Sequence, residues 1–152
     1  MFVTAVNRLV SLRKTIENNY RMNRDIIFDT ECFDEEQRTL QDELTVTAEL
    51  IQKIIDENAH TQIDQEEYKK RYESLAKRFE AAKSRLEEIA NIKADRIARR
   101  TRCDGFMKEL KKQGTVISEF DDRLWHTLMD HIIVYSKDDV RFVFKNGTEI
   151  KI

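Results

Sequence analysis

Between residues 34 and 58, apolar or small side chains recur at Leu40, Leu44, Thr47 or Ala48, Ile51, and Ile54 or Ile55, in alternating steps of four and three. This is heptad spacing, which keeps one stripe of a helix turned toward a partner. A second run, Tyr68, Tyr72, Leu75, Phe79, Ala82, Leu86 and Ile89, steps in the same way. Asp34 with Gln37, and Asp64 with Glu67, read as helix starts, and NAHTQI (58–63) as the turn between them. Two heptad helices joined by so short a turn run antiparallel. Folding the chain about that turn brings together residues whose numbers sum to about 123: Leu44 with Phe79, Ile51 with Tyr72, Ile55 with Tyr68.

An earlier stripe of Phe2, Val6, Leu9, Ile16 and Tyr20 predicts a helix over about 2–24. The third helix is expected to run from 64 to 112, on the order of 70 Å at 1.5 Å per residue, too long to go uncovered. The first helix is expected to supply cover where the second does not. After Gly114 the pattern changes: Ser118 and Asp121 read as capping a short helix over 118–132 whose face is Phe120, Leu124, Leu128 and Ile132, beside Trp125 and Met129. A period of two then predicts strands at 132–135, 140–144 and 148–152. A three-residue loop from Lys145 to Gly147, with Gly147 in the left-handed region, gathers Val140, Phe142, Phe144, Thr148, Ile150 and Ile152 on one face. A two-residue loop would set Phe144 against Glu149, so the bulged hairpin is expected. The predicted fold is mainly α: a long antiparallel coiled-coil hairpin (1–112) with a small α+β cap (113–152) of one short helix and a three-stranded meander.

Composition fits this outline. The 152 residues include no Pro and only three Gly, all beyond residue 104, so the first two thirds lack both strong helix breakers and any Gly-rich phosphate loop. Cys32 and Cys103 form no CxxC pair, which argues against a zinc site in this chain and fits a reducing compartment. No apolar run approaches the ~18 residues of a membrane span, and MFVTAVNRLVSLRK has no signal-peptide core, so a cytoplasmic location is expected.

Charge changes the picture more. Residues 1–25 carry five Lys/Arg against two Asp/Glu and 93–112 eight against three, whereas 29–57 carry two against ten. The antiparallel arrangement puts the two basic segments side by side, a patch of Arg8, Arg13, Lys14, Arg96, Arg99, Arg100 and Arg102 suited to phosphate, and leaves the outer arm acidic. The plainer alternative is a solvated helix face.

Other chemistry is thin. His126 and Asp130, four apart, suit a shared metal only if a third ligand joins them, and none is evident. Cys103 lies among arginines that favour a thiolate, without a partner histidine nearby in sequence. Trp125, Phe142 and Phe144 fall on faces that must be buried, which explains them better than base stacking does. At the predicted tip, Asn58, His60, Thr61 and Ile63 sit far from any core, where a partner would touch.

FVTAVNRL (2–9), AELIQKIIDENA (48–59) leading to QEEY (65–68), and EFDDRLW (119–125) running into IIVY (132–135) and FKNGTEI (144–150) resemble the C-terminal end of large serine recombinases, in the branch carried by transposons and other mobile elements. The resemblance spans nearly the whole chain, and its closing segment is the most specific part. It implies a coiled-coil arm inserted in a zinc-ribbon DNA-binding domain, with the catalytic serine and the zinc cysteines upstream of Met1, so that this chain holds no catalytic group and no cofactor. It further implies DNA as a partner through the parent protein, and an arm tip that meets other recombinase subunits during synapsis. The isolated chain is then expected to be a monomer or weak dimer. A free-standing coiled-coil oligomeriser or adaptor without a DNA partner is the alternative, and it has no need of the closing strands.

Overall fold

The computed structural model describes residues 1–61, 63–114 and 116–152; Gln62, in the predicted turn, and Thr115, in the predicted cap, lie outside them. Among the described residues, five α-helices, α1 (Phe2–Ser11), α2 (Arg13–Ile27), α3 (Asp34–His60), α4 (Gln65–Lys112) and α5 (Asp122–Leu128), precede three strands, β1 (Met129–Ser136), β2 (Asp139–Phe144) and β3 (Glu149–Lys151). The protein is mainly helical, with a long helical hairpin, a short helix and a small antiparallel sheet in the order β1-β2-β3. The chain forms two compact units, Met1–Phe28 with Arg96–Ile152, and Asp29–Asp95. This division falls inside α4 and differs from the one expected at residue 112, because the last turns of α4 bury Phe106, Met107 and Leu110 in the core of α1 and the sheet.

In the unit of α3 and the first part of α4, the heptad seam is present with its ambiguities resolved. Thr47 and Ile54 are buried from α3, and Ala82 and Ile89 from α4. Ile55 is 38% exposed and Tyr72 40%, so the expected pairings of Ile55 with Tyr68 and Ile51 with Tyr72 do not lie in the dry seam. A strict 40, 44, 47, 51, 54 stepping puts residue 55 on the flank. The hydroxyl of Thr47 can be buried because it donates to the Glu43 carbonyl at 2.6 Å. The antiparallel register is fixed by Arg78 on Glu43 (2.8 Å), Arg85 on Glu36 (2.7 Å) and Lys93 on Asp34 (2.7 Å). Asp34 therefore does not cap α3 as expected: its carboxylate and Gln37 both take the Lys93 ammonium. Asp64 does act at the start of α4, accepting from the Glu66 N–H at 3.2 Å.

The other unit packs α1 and the end of α4 against α5 and the sheet. Ala5, Val6 and Leu9 are fully covered, with Phe106, Leu110, Leu128 and Phe144. The expected 2–24 helix is two helices meeting at Leu12, where the Ser11 hydroxyl donates back to the Arg8 carbonyl at 2.6 Å, and the second runs on to Ile27. The expected 118–132 helix is shorter: Asp121 alone caps it, accepting from the Leu124 N–H at 3.1 Å, and residues from Met129 onward are strand. Phe120 is accordingly 58% exposed, although its ring lies 5.2 Å from that of Phe2. The hairpin has the expected bulged loop. Phe142 pairs with Ile150, the Phe144 N–H donates to the Thr148 carbonyl at 2.9 Å, and Gly147 has φ 83°. Phe142, Phe144 and Ile150 face the core, with Val140 and Ile152 packed at its margin.

Asn7 was not singled out by the sequence pattern, yet its side-chain amide clamps the segment after α4. It donates to the Ile117 carbonyl at 3.0 Å and accepts from the Ile117 N–H at 2.9 Å, satisfying both groups of a residue outside any ladder. Trp125, the one tryptophan of the chain, sits in this unit 5.1 Å from the Phe2 ring, so its fluorescence reports the unit alone. Leu9→Ala is expected to destabilise this unit by about 2–5 kcal/mol and Asn7→Ala by about 1–3 kcal/mol. Leu12→Ala, at an exposed position, should stay within about 0.5 kcal/mol. Denaturant melts followed by Trp125 emission check all three, and a Leu9→Ala midpoint equal to that of Leu12→Ala would contradict this core.

Candidate nucleic-acid interface

The two units differ in sign. Residues 1–28 with 96–152 hold 17 Lys/Arg against 11 Asp/Glu, a net of +6; residues 29–95 hold 10 against 18, a net of −8. All seven residues of the basic patch, Arg8, Arg13, Lys14, Arg96, Arg99, Arg100 and Arg102, belong to the positive unit.

Their surroundings are unequal. The Arg8 guanidinium donates to the Lys151 carbonyl beside the edge strand β3. Arg13 donates to the Gln113 carbonyl at 2.7 Å and lies 3.8 Å from Glu17, so it is partly spent closing the end of α4. Arg100 lies 3.3 Å from Asp25. Lys14, Arg99 and Arg102 are exposed, Arg96 half-buried. Arg99 and Arg102 line a hollow with Lys145, a residue of the β2–β3 loop that the sequence reading left out. No linear signal links residue 145 to residue 99; only the folded hairpin brings them together.

Neighbouring groups are held by the same electrostatics. Burial pushes the Cys103 thiol up, and the nearby Arg99 and Arg102 charges only partly offset this, so the side chain stays a thiol and does not become a nucleophile. Burial and the adjacent Asp104 carboxylate push the Tyr20 hydroxyl up; it remains protonated and donates to Asp104 at 2.8 Å, joining α2 to α4. His126 is in α5, 3.6 Å from Asp122, and Asp130 is in β1 beside His131, so the helical spacing that suggested a shared metal does not exist. Among the described residues no three His, Cys, Asp or Glu side chains gather as metal ligands. Phe142 and Phe144 are buried and Trp125 is half-buried, which leaves none of them as an open stacking platform.

At the end of the hairpin, α3 stops at His60 and Thr61 is extended. The turn is tied down: Gln65 donates to the Asn58 side chain at 3.0 Å and to the Ile63 carbonyl at 3.2 Å, and the His60 ring meets the Asp56 carbonyl at 2.8 Å. Asn58 and Ile63 are half-buried; His60 and Thr61 are exposed, so these two form the open part of the candidate tip.

Along the arm, hydrogen bonds from Arg85 hold the Glu36 carboxyl below its usual range. A lowered folded value means that protonation favours the unfolded chain, so the contribution is full above the ordinary carboxylate pKa and is lost as pH falls through the folded value. Both side chains meet solvent, so added salt weakens the pair. Helix content followed by circular dichroism should therefore melt earlier in acid, and Glu36→Gln should lower stability at neutral pH while flattening that dependence. An unchanged acid profile in Glu36→Gln would contradict the role given to this pair.

No protein-family model matches this chain, and no curated protein and no solved structure is significantly similar to it.

Proposed function

We propose that this chain is a non-catalytic C-terminal part of a site-specific DNA recombinase of the serine type, of the kind carried by mobile elements, serving DNA integration and excision. In this reading the positive unit sits against DNA and supports site recognition, and the acidic helical hairpin serves synapsis by meeting another recombinase subunit through Asn58, His60, Thr61 and Ile63. Chemistry belongs to a catalytic domain elsewhere in the parent, and so does any zinc; the chain works in the cytoplasm without a cofactor of its own. Among the described residues no helix is long and apolar enough to cross a membrane.

The observation that carries the reading is the sorting of charge by structural unit, +6 against −8, in a chain whose net charge is only −2. A solvated coiled coil gains nothing from such sorting, whereas a DNA-bound protein gains attraction at one unit and repulsion at the other. The resemblance of the closing segment, 119–150, adds the family. An adaptor without DNA is the competing reading.

The two separate by experiment. Fluorescence anisotropy of a labelled DNA duplex titrated with the full chain should show binding whose logarithm falls linearly with log salt. Sedimentation equilibrium without DNA should give a monomer or weak dimer, and a paired His60→Asp, Thr61→Asp variant should leave DNA binding intact while lowering association of DNA-bound chains. A stable oligomer that binds no duplex at low salt would establish the adaptor in its place.

A further inference from the structure

β1 is an end strand of the sheet, and its outer edge meets no other strand among the described residues. Which backbone groups lie on that edge follows from the neighbouring hairpin. The Phe144 N–H donates to the Thr148 carbonyl and the Ile152 N–H to the Val140 carbonyl, so even-numbered residues of β2 turn their N–H and C=O to β3, while Arg141 and Val143 turn theirs to β1. Arg141 pairs with Ile133 and Val143 with His131. His131 and Ile133 are therefore engaged with β2, and the N–H and C=O of Ile132 and Val134 point away from the sheet. Their side chains are open too, Ile132 at 38% and Val134 at 68% exposed. β1 contains no Lys, Arg or Pro, the residues that guard many natural edges.

The opposite edge of the sheet is closed. With Ile150 turned to Phe142, the Lys151 carbonyl points outward from β3, and the Arg8 guanidinium of α1 donates to it. One open edge per chain lets two chains pair and then stops growth, the condition for a closed two-fold dimer in place of a fibre. Extra residues at Asp130 and Tyr135 bulge β1 at both ends, which leaves His131–Val134 as its regular stretch.

The sequence of that stretch matches itself. A two-fold axis perpendicular to the sheet makes the strands antiparallel and keeps each sheet face on its own side, so the numbers of facing residues sum to an even value. A sum of 264 sets Ile132 against its own copy but Val134 against Asp130 and Ile133 against His131. A sum of 268 sets Val134 against its copy but Ile132 against Ser136 and Asp130 against Asp138, two like charges. A sum of 266 sets Ile132 against Val134 on both sides of the axis and Ile133 against Ile133, so every apolar residue of the stretch meets another. We propose that β1 is a self-association edge, pairing antiparallel with β1 of a second copy of this chain about a two-fold axis at Ile133. Four residues a side is far below the roughly 20–30 of a standard interface, so the dimer is weak and gains from a high local concentration. The contact uses neither the basic patch nor the hairpin tip, and it goes beyond the DNA reading without depending on it.

Sedimentation equilibrium of the full chain without DNA, from about 10 μM to about 1 mM, should show monomer passing into dimer, with the Ile132 and Val134 amides gaining exchange protection as the dimer forms. Val134→Lys, at an exposed side chain, should keep the chain monomeric at every concentration, and Trp125 emission checks that each variant is folded. Cross-linking reads the register. In a Cys32→Ser, Cys103→Ser background, Ile133→Cys should link two chains under mild oxidation, because facing residues of a non-hydrogen-bonded antiparallel pair lie about 4.5 Å apart, within disulfide reach; Ile132→Cys and Val134→Cys should not. A wild-type chain still monomeric at about 1 mM would overturn the proposal and leave the edge to an unlike strand. A dimer that survives Val134→Lys but is lost in the paired His60→Asp, Thr61→Asp variant would assign association to the hairpin and overturn it as well. Equal linking at Ile132→Cys and Ile133→Cys would overturn the axis at Ile133.

Discussion

A helix of 48 residues has to be covered along its whole length, and α4 meets this constraint with two different partners. Over 65–95 its apolar stripe is met by α3, which buries Ala82 and Ile89; over 96–112 it is met by α1 and the sheet, which bury Phe106, Met107 and Leu110. The two halves use different chemistry. The α3 side is a narrow seam reinforced by ion pairs at exposed flanks, worth little individually and sensitive to salt and acid. The other side is a broader core with fully buried Leu9, Phe106, Leu110, Leu128 and Phe144, whose stability comes from excluded apolar surface.

Charge divides along the same line. A narrow seam leaves most of α3 in water, and its acids outnumber its bases, with Glu36 and Glu43 used for register. In the unit with the broader core, arginine and lysine outnumber acids 17 to 11. Some of those cations serve the fold itself: Arg13 closes the end of α4, and Arg100 joins Asp25. A count of basic residues therefore overstates what is offered to a polyanion, because Arg13 and Arg100 are engaged within the fold.

Much of this was legible in the chain. Period and turn chemistry were enough for the antiparallel hairpin, the long α4 and the bulged β2–β3 loop, because Gly147 alone among its neighbours accepts a positive φ without strain. The errors were local and physical. A continuous stripe from Phe2 to Tyr20 hid the break at Leu12, since Ile16 and Tyr20 of α2 pack at the margin of the same core that Phe2, Val6 and Leu9 enter. The run from Leu124 to Ile132 fits helical and strand periods alike, and tertiary pairing with β2 decided for strand after Leu128. Asp34 looked like a cap but is more strongly held by Lys93, 59 positions away. The candidate site was half visible: the α4 arginines stand together in sequence, whereas Lys145 and the Asn7 clamp on Ile117 depend on closures of roughly 40 and 110 residues that no local pattern carries.

The central claim is that the unit of Met1–Phe28 and Arg96–Ile152 faces DNA and the acidic hairpin does not. Hydrogen exchange by mass spectrometry on the full chain, with and without a DNA duplex at low salt, tests it most directly. DNA is predicted to slow exchange in peptides covering 96–112 and 144–148 and to leave 34–60 unchanged; protection of 34–60 with none at 96–112 would contradict the account.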